Sequence, residues 1–160
     1  MNWAKATDVI LISSFAVLAV FVVLAIVQWV QRKSIKKVDR SLRWMPLPLA
    51  IMTAVYFIFD KLLILNTRPD GSGEPSFPST HVMVVSTIFL ITAFALPKYI
   101  KSKPALITIY ILMLILVTLV CAGRVLANKH WLSDVIGGFS FAVIFALIYY
   151  AVATRRRKYD

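Results

Sequence analysis

From Val9 to Val30 the chain carries no charged residue. As a helix this run rises about 33 Å, enough to cross a hydrocarbon core of about 30 Å. Four further apolar stretches follow. Trp44 to Leu65 has Asp60 and Lys61 near its end, and Val82 to Leu96 is short and closed by Pro97. Ala105 to Ala122 and about Val135 to Ala153 are apolar throughout. Composition agrees, with 60% hydrophobic residues and a mean hydropathy of +0.81, where a soluble domain lies nearer half apolar. The expected fold is all-α: a polytopic transmembrane bundle of about five helices, built as one domain over residues 1–160. No soluble domain, repeat or low-complexity segment stands out. The first stretch is too long for a signal peptide, lacks a small-residue cleavage pattern and is followed by a basic segment. Cys121 is the single cysteine, so neither a disulfide framework nor a cysteine metal site is expected, and an apolar filler role suits it.

A net charge of +11 would suit nucleic acid if the cations were scattered, but they are grouped. Arg32, Lys33, Lys36, Lys37, Arg40 and Arg43 form one segment, Lys98, Lys101 and Lys103 a second, and Arg155, Arg156, Arg157 and Lys158 a third. With five spans these three segments share one face, which thus holds thirteen of the eighteen lysines and arginines. The positive-inside rule makes that face cytoplasmic, with the N-terminus outside and the C-terminus inside. Topology signalling and contact with anionic lipid account for the basic stretches, and no nucleic-acid partner is expected. The connections 66–80 and 123–130 then fall together on the outer face.

Those connections hold what composition does not explain. The chain reads Lys61-x6-Arg68-Pro69, then Pro78-Ser79-Thr80-His81, then Arg124-x5-His130-x3-Asp134. A charge at the edge of an apolar span is costly unless it is paired, wet or bound to a ligand. Lys61 one turn inside a helix and Arg68 on the loop beyond it suit convergence on one anion, although a snorkelling lysine or a partner for Asp60 also fits Lys61. The turn-rich segment 70–81 leads into a helix with Ser79 at its N-cap, where free amides of Thr80 and His81 form a ready anion site. An ordinary helix cap explains Ser79 equally well. His130 and Asp134 lie four apart on one helical face, so the carboxylate can fix the imidazole tautomer and leave the other nitrogen free to attack. Taken alone, that spacing fits a structural pair too. Zinc also uses such ligands, but three nearby cations oppose a divalent metal and no HExxH spacing exists.

Jointly, K-x6-RP, PSxH and R-x5-H-x3-D resemble the type 2 phosphatidic acid phosphatase (PAP2) family, which shares its site with vanadium haloperoxidases. The likeness covers residues 61–134 in order and spacing. It implies His130 as nucleophile forming a phosphohistidine, Asp134 orienting it, and His81 as general acid. Lys61, Arg68 and Arg124 would clamp the phosphate, with Ser79 and the Thr80 amide completing the cradle. No metal or other cofactor is implied. Two departures stand out: Thr80 replaces a usual glycine, and Gly123 a usual serine. The family core usually has six membrane helices, and the one without a counterpart here would precede the first span. The resemblance implies a membrane phosphatase acting on a lipid monophosphate or diphosphate of the undecaprenyl pyrophosphate, phosphatidylglycerophosphate or phosphatidate class. Its partners would be that substrate and membrane lipids. A lipid-to-lipid phosphotransferase would use the same residues, whereas a small transporter leaves the joint spacing unexplained.

Overall fold

The computed structural model describes residues 2–154. The tail cations Arg155 to Lys158 lie outside the described residues. Helix α1 spans Trp3–Arg32, and Asn2 caps it by accepting from the Lys5 amide at 3.2 Å. A short α2 (Arg40–Trp44) leads into α3 (Pro46–Phe57), which continues as a π-helical turn, Ile58–Leu62. Helix α4 (Thr80–Ala95) is extended by a 3₁₀ turn (Leu96–Lys98), and α5 spans Lys103–Leu126. Helix α6 is Leu132–Thr154. Among the described residues five helical segments are long and apolar enough to cross a membrane, so this is a multi-pass membrane protein.

The shortest apolar stretch became the centre of the bundle. In α4, 67% of the apolar segment is enclosed, against 6–33% in the other four. Val82, Met83, Val85, Ile88 and Ile91 are fully buried. Helix α4 packs most extensively on α6 and also meets α1, α5 and α3. Enclosed by protein over most of its surface, with Phe94 among the side chains left outside, it needs no long lipid-facing run, which is why it tolerates Ser86, Thr87 and Thr92 in its buried face. The outer helices carry the opposite pattern: Val9, Ile12, Val20 and Val23 on α1, and Ile107, Ile111 and Leu114 on α5, all face outward.

Glycine permits a close backbone contact between α6 and the start of α4. A Cβ on Gly138 of α6 would stand 2.7 Å from the Ser79 carbonyl oxygen, and one on Gly137 would enter the ring of Phe77. Both side-chain-free positions hold the segment before α4 against α6.

At the far end of the bundle, Asp39 gathers Arg32 (3.2 Å), Lys98 (3.0 Å), Gln28 (2.9 Å) and the Tyr99 hydroxyl (3.1 Å). Burial opposes its ionisation, but hydrogen bonds from Gln28, Lys98 and Arg32 outweigh this and hold its carboxyl at about 2. Arg40 Nε donates to the Val152 carbonyl at 2.8 Å and Tyr149 to that of Ser41 at 2.9 Å, which brings the end of α6 to the same place. The basic segments 32–43 and 98–103 therefore share one end, as the charge pattern predicts.

Candidate active site

The loop between the π turn and α4 folds back on itself. Thr67 and Pro75 form an isolated antiparallel bridge, Arg68 N donates to Glu74 O at 3.0 Å, and Ser76 N donates to Asn66 O at 2.9 Å. Gly71 and Gly73 turn the chain with φ of 77° and 73°, a region other residues rarely enter. This loop is fastened to the α5–α6 junction. Trp131 Nε1 donates to Thr67 O (2.9 Å), Asn128 Nδ2 to Pro69 O (3.3 Å), and Lys129 pairs with Asp70 (2.8 Å). The Asp70 carboxyl is held well below the usual carboxylate range, chiefly by Lys129 and also by Ser72. Ser79 N donates to Asp134 O at 2.9 Å. Residues more than fifty positions apart are thus locked into one wall.

Five of the residues picked from sequence line a single cavity of about 360 Å³: Arg68, Thr80, His81, Arg124 and His130. His130 is buried. Its Nδ1–H donates to the Ser76 carbonyl at 2.8 Å, which leaves Nε2 as the lone-pair nitrogen, 3.4 Å from Arg124 Nη2. Burial, and then the Arg124 charge, push the His130 ring down to about 4, so it stands neutral at physiological pH.

The expected bond between His130 and Asp134 is replaced. Asp134 Oδ2 lies 3.8 Å from His130 Nδ1, beyond hydrogen-bond reach, and instead accepts from the Trp131 amide at 2.8 Å. Asp134 is fully enclosed and closes the first turn of α6, while a backbone carbonyl sets the tautomer. Its charge still faces the ring.

Lys61 does not converge with the arginines. It extends outward from the π turn and pairs with Asp60 at 2.8 Å, and its side chain is 68% exposed. The extra residue per turn in Ile58–Leu62 rotates the helix face, so that Asp60 rather than Lys61 lines the cavity. Arg68 pairs with Glu74 at 2.6 Å. Ser79 is the N-cap of α4 but makes no capping bond, and its fully enclosed hydroxyl has no partner. Arg68 Nε and Arg124 Nε are likewise buried donors without acceptors. Unmet donors beside a helix N-terminus suit an oxyanion. Thr80 contributes to the cavity wall next to His81, where its side chain narrows the space.

Several participants escaped the sequence pattern. Ser76 acts through its backbone carbonyl, which no side-chain motif can report. Asp8 of α1 reaches His81 Nε2 at 2.8 Å and Thr7 Oγ1 lies 3.4 Å from Arg124 Nη1. A charge at the edge of an apolar span was the signal available for Asp8. The remaining wall is apolar or aromatic, with Leu11, Met52, Tyr56, Phe59 and Phe77. Among the described residues no three side chains of His, Cys, Asp or Glu gather as a metal-holding group.

Comparison with known proteins places these features. A search of curated proteins finds no match. The crystal structure of a transmembrane PAP2-type phosphatidylglycerolphosphate phosphatase from Bacillus subtilis shares this fold, with a TM-score of 0.75 at 20% identity over all of this chain and 81% of that one. The PAP2 superfamily model matches residues 58–158, which takes in every motif residue and more than half of the chain. This multi-pass membrane protein therefore belongs to the PAP2 superfamily, a family of phosphatases.

Proposed function

We propose that this protein hydrolyses a lipid phosphomonoester or diphosphate through a phosphohistidine on His130, without a metal cofactor, at the extracytoplasmic face. The observation that carries this reading is the state of His130. It is a neutral imidazole whose Nδ1–H is anchored on a carbonyl and whose Nε2 stands in a pocket with two arginines. A phosphoryl group held by Arg68, Arg124, the Ser79 hydroxyl and the α4 amides presents its phosphorus to Nε2. The N–P bond forms as the bond to the leaving oxygen breaks, and His81 gives that oxygen a proton. Water then attacks phosphorus, the N–P bond breaks, and the proton from water returns to His81. Arginine charge spread over the equatorial oxygens supplies the neutralisation that magnesium gives in other phosphoryl transfers. Asp134, 3.8 Å behind the ring, stabilises the positive charge that Nδ1–H carries once Nε2 is bonded.

The apolar wall supports a lipid substrate. Leu11 on α1 and Met52 and Tyr56 on α3 line the cavity on its apolar side, where an acyl or prenyl tail would lie. Phosphatidylglycerophosphate comes first among the candidates because the structural relative is named for it. Undecaprenyl pyrophosphate and phosphatidate follow. The basic segments at the opposite end support the outward orientation, and a reporter fused at the C-terminus is expected in the cytoplasm. The test is phosphate release by purified protein in detergent with EDTA, from those three lipids side by side. Release from at least one, lost in His130→Ala, is the expected result. Dependence on added magnesium would overturn the metal-free mechanism, and transfer of label to a second lipid without phosphate release would make the enzyme a phosphotransferase.

A further inference from the structure

Helix α1 lies outside the residues matched by the family model, yet two of its polar side chains contact residues of the site. Asp8 Oδ1 is 2.8 Å from His81 Nε2 and 4.0 Å from Arg124 Nη1. Beside it, Thr7 is almost fully buried, gives its hydroxyl proton to Ala4 O at 2.8 Å, and leaves a lone pair toward Arg124 Nη1 at 3.4 Å. This approach depends on Gly123, where a Cβ would stand 2.6 Å from Thr7 Cγ2 and 3.4 Å from Trp3 Cε3. The start of α1 is therefore docked against α5 at the mouth of the cavity.

A carboxylate is a poor neighbour for a phosphate because like charges repel, even where, as at Asp8, the side chain is 54% exposed and water screens part of that repulsion. Asp8 is tolerable there only if its charge is spoken for, and the group it contacts most closely is His81. The charged groups facing that ring are Asp8 from α1, Arg124 from α5 and Arg68 from the loop. Two arginines already occupy the pocket, and a carboxylate is the counterion that lets an imidazolium join them. With Nε2–H donated to Asp8, Nδ1 is the nitrogen left to serve the leaving oxygen.

We propose that Asp8 is the positioning residue of His81, holding it as an imidazolium with Nε2 on α1 and Nδ1 turned to the leaving group. This rests on the phosphatase reading above. In the first step the bond between phosphorus and the leaving oxygen breaks, its electron pair stays on that oxygen, and the Nδ1 proton joins it. His81 is then neutral, with Nε2–H still on Asp8, and recovers its second proton from the attacking water.

The test separates proton donation from folding by the leaving group. An alkyl phosphate needs the proton, whereas 4-nitrophenyl phosphate departs without one. Asp8→Asn is expected to lower kcat/KM for a long-chain alkyl phosphate by roughly tenfold or more and for 4-nitrophenyl phosphate by less than about threefold. In a His81→Ala background Asp8→Asn should add no further loss on the alkyl ester. Asp8→Glu, which keeps the carboxylate, should exceed Asp8→Asn on that ester, and inhibition by vanadate should persist in both. Equal losses on the two esters, or loss of vanadate inhibition, would make Asp8 a structural residue and overturn the proposal. An unchanged rate on the alkyl ester would do the same. A wild-type protein inactive on both esters would sink the phosphatase reading itself, a result distinct from any of these.

Discussion

Replacing Gly138 by alanine puts one methyl group where the backbone of another helix already sits. The new Cβ would stand 2.7 Å from the Ser79 carbonyl oxygen and 3.4 Å from the Met83 amide nitrogen. Ordinary contact begins at 3.4 Å, so the start of α4 must withdraw from α6 by about 0.7 Å. The obstacle is backbone, and no side-chain rotation relieves it. That withdrawal strains the Ser79 N to Asp134 O bond at 2.9 Å and carries His81 away from His130. Overpacking of this kind costs about 1–3 kcal/mol of stability. A displacement approaching 1 Å in an active site costs up to about a hundredfold in rate. The expected result is a kcat/KM reduced by roughly ten- to a hundredfold with a lowered Tm, measured on a lipid phosphate and by thermal unfolding in detergent. Ile136→Ala, on the exposed side of the same helix, should leave both near the wild type. A Gly138→Ala enzyme with full rate and unchanged Tm would refute the idea that this contact sets the register of the site.

Lys61→Ala should keep activity within about threefold, because the lysine faces away on Asp60, whereas Arg68→Ala and Arg124→Ala should each lose about a hundredfold or more in kcat/KM. Equal losses in all three would place Lys61 in the phosphate clamp after all. His130, held down to about 4 by burial and then by Arg124, should put the acid limb of kcat/KM near that value instead of near 6.5. Its folded value lies below its unfolded one, so the stability it contributes is complete above about pH 6.5 and is lost as pH falls through about 4. Thermal unfolding against pH should therefore slope less across that interval in His130→Asn than in the wild type.

Much of this was legible in the chain because membrane crossing and phosphate binding both leave residue-type signatures. Apolar runs located all five spans, the second despite Asp60 and Lys61 near its end, and the grouped cations located one end of the bundle. Arg68, His81, Arg124 and His130 were found because charge at a span edge requires an explanation. The side-chain contacts were less legible. The π turn that swings Lys61 outward is a backbone event with no pattern at Ile58–Leu62 to announce it. The four-residue spacing of His130 and Asp134 suggested a hydrogen bond, but that pairing requires both residues on a regular helix. His130 precedes the first residue of α6, where the Trp131 amide competes for the carboxylate and the Ser76 carbonyl for the ring. The stretch Val82 to Leu96 is short because α4 is largely enclosed by protein and needs no long lipid-facing run. Asp8 and Thr7 required knowing that α1 docks beside α5, a contact more than a hundred residues away in sequence that only the glycine at 123 permits.

The phosphoenzyme itself tests the central claim most directly. Purified protein mixed with a ³²P-labelled lipid phosphate and quenched rapidly in alkali should carry label that is stable to base, labile to acid and absent from His130→Ala. Label retained in His130→Ala, or hydrolysis proceeding with no labelled protein at any quench time, would contradict nucleophilic attack by His130.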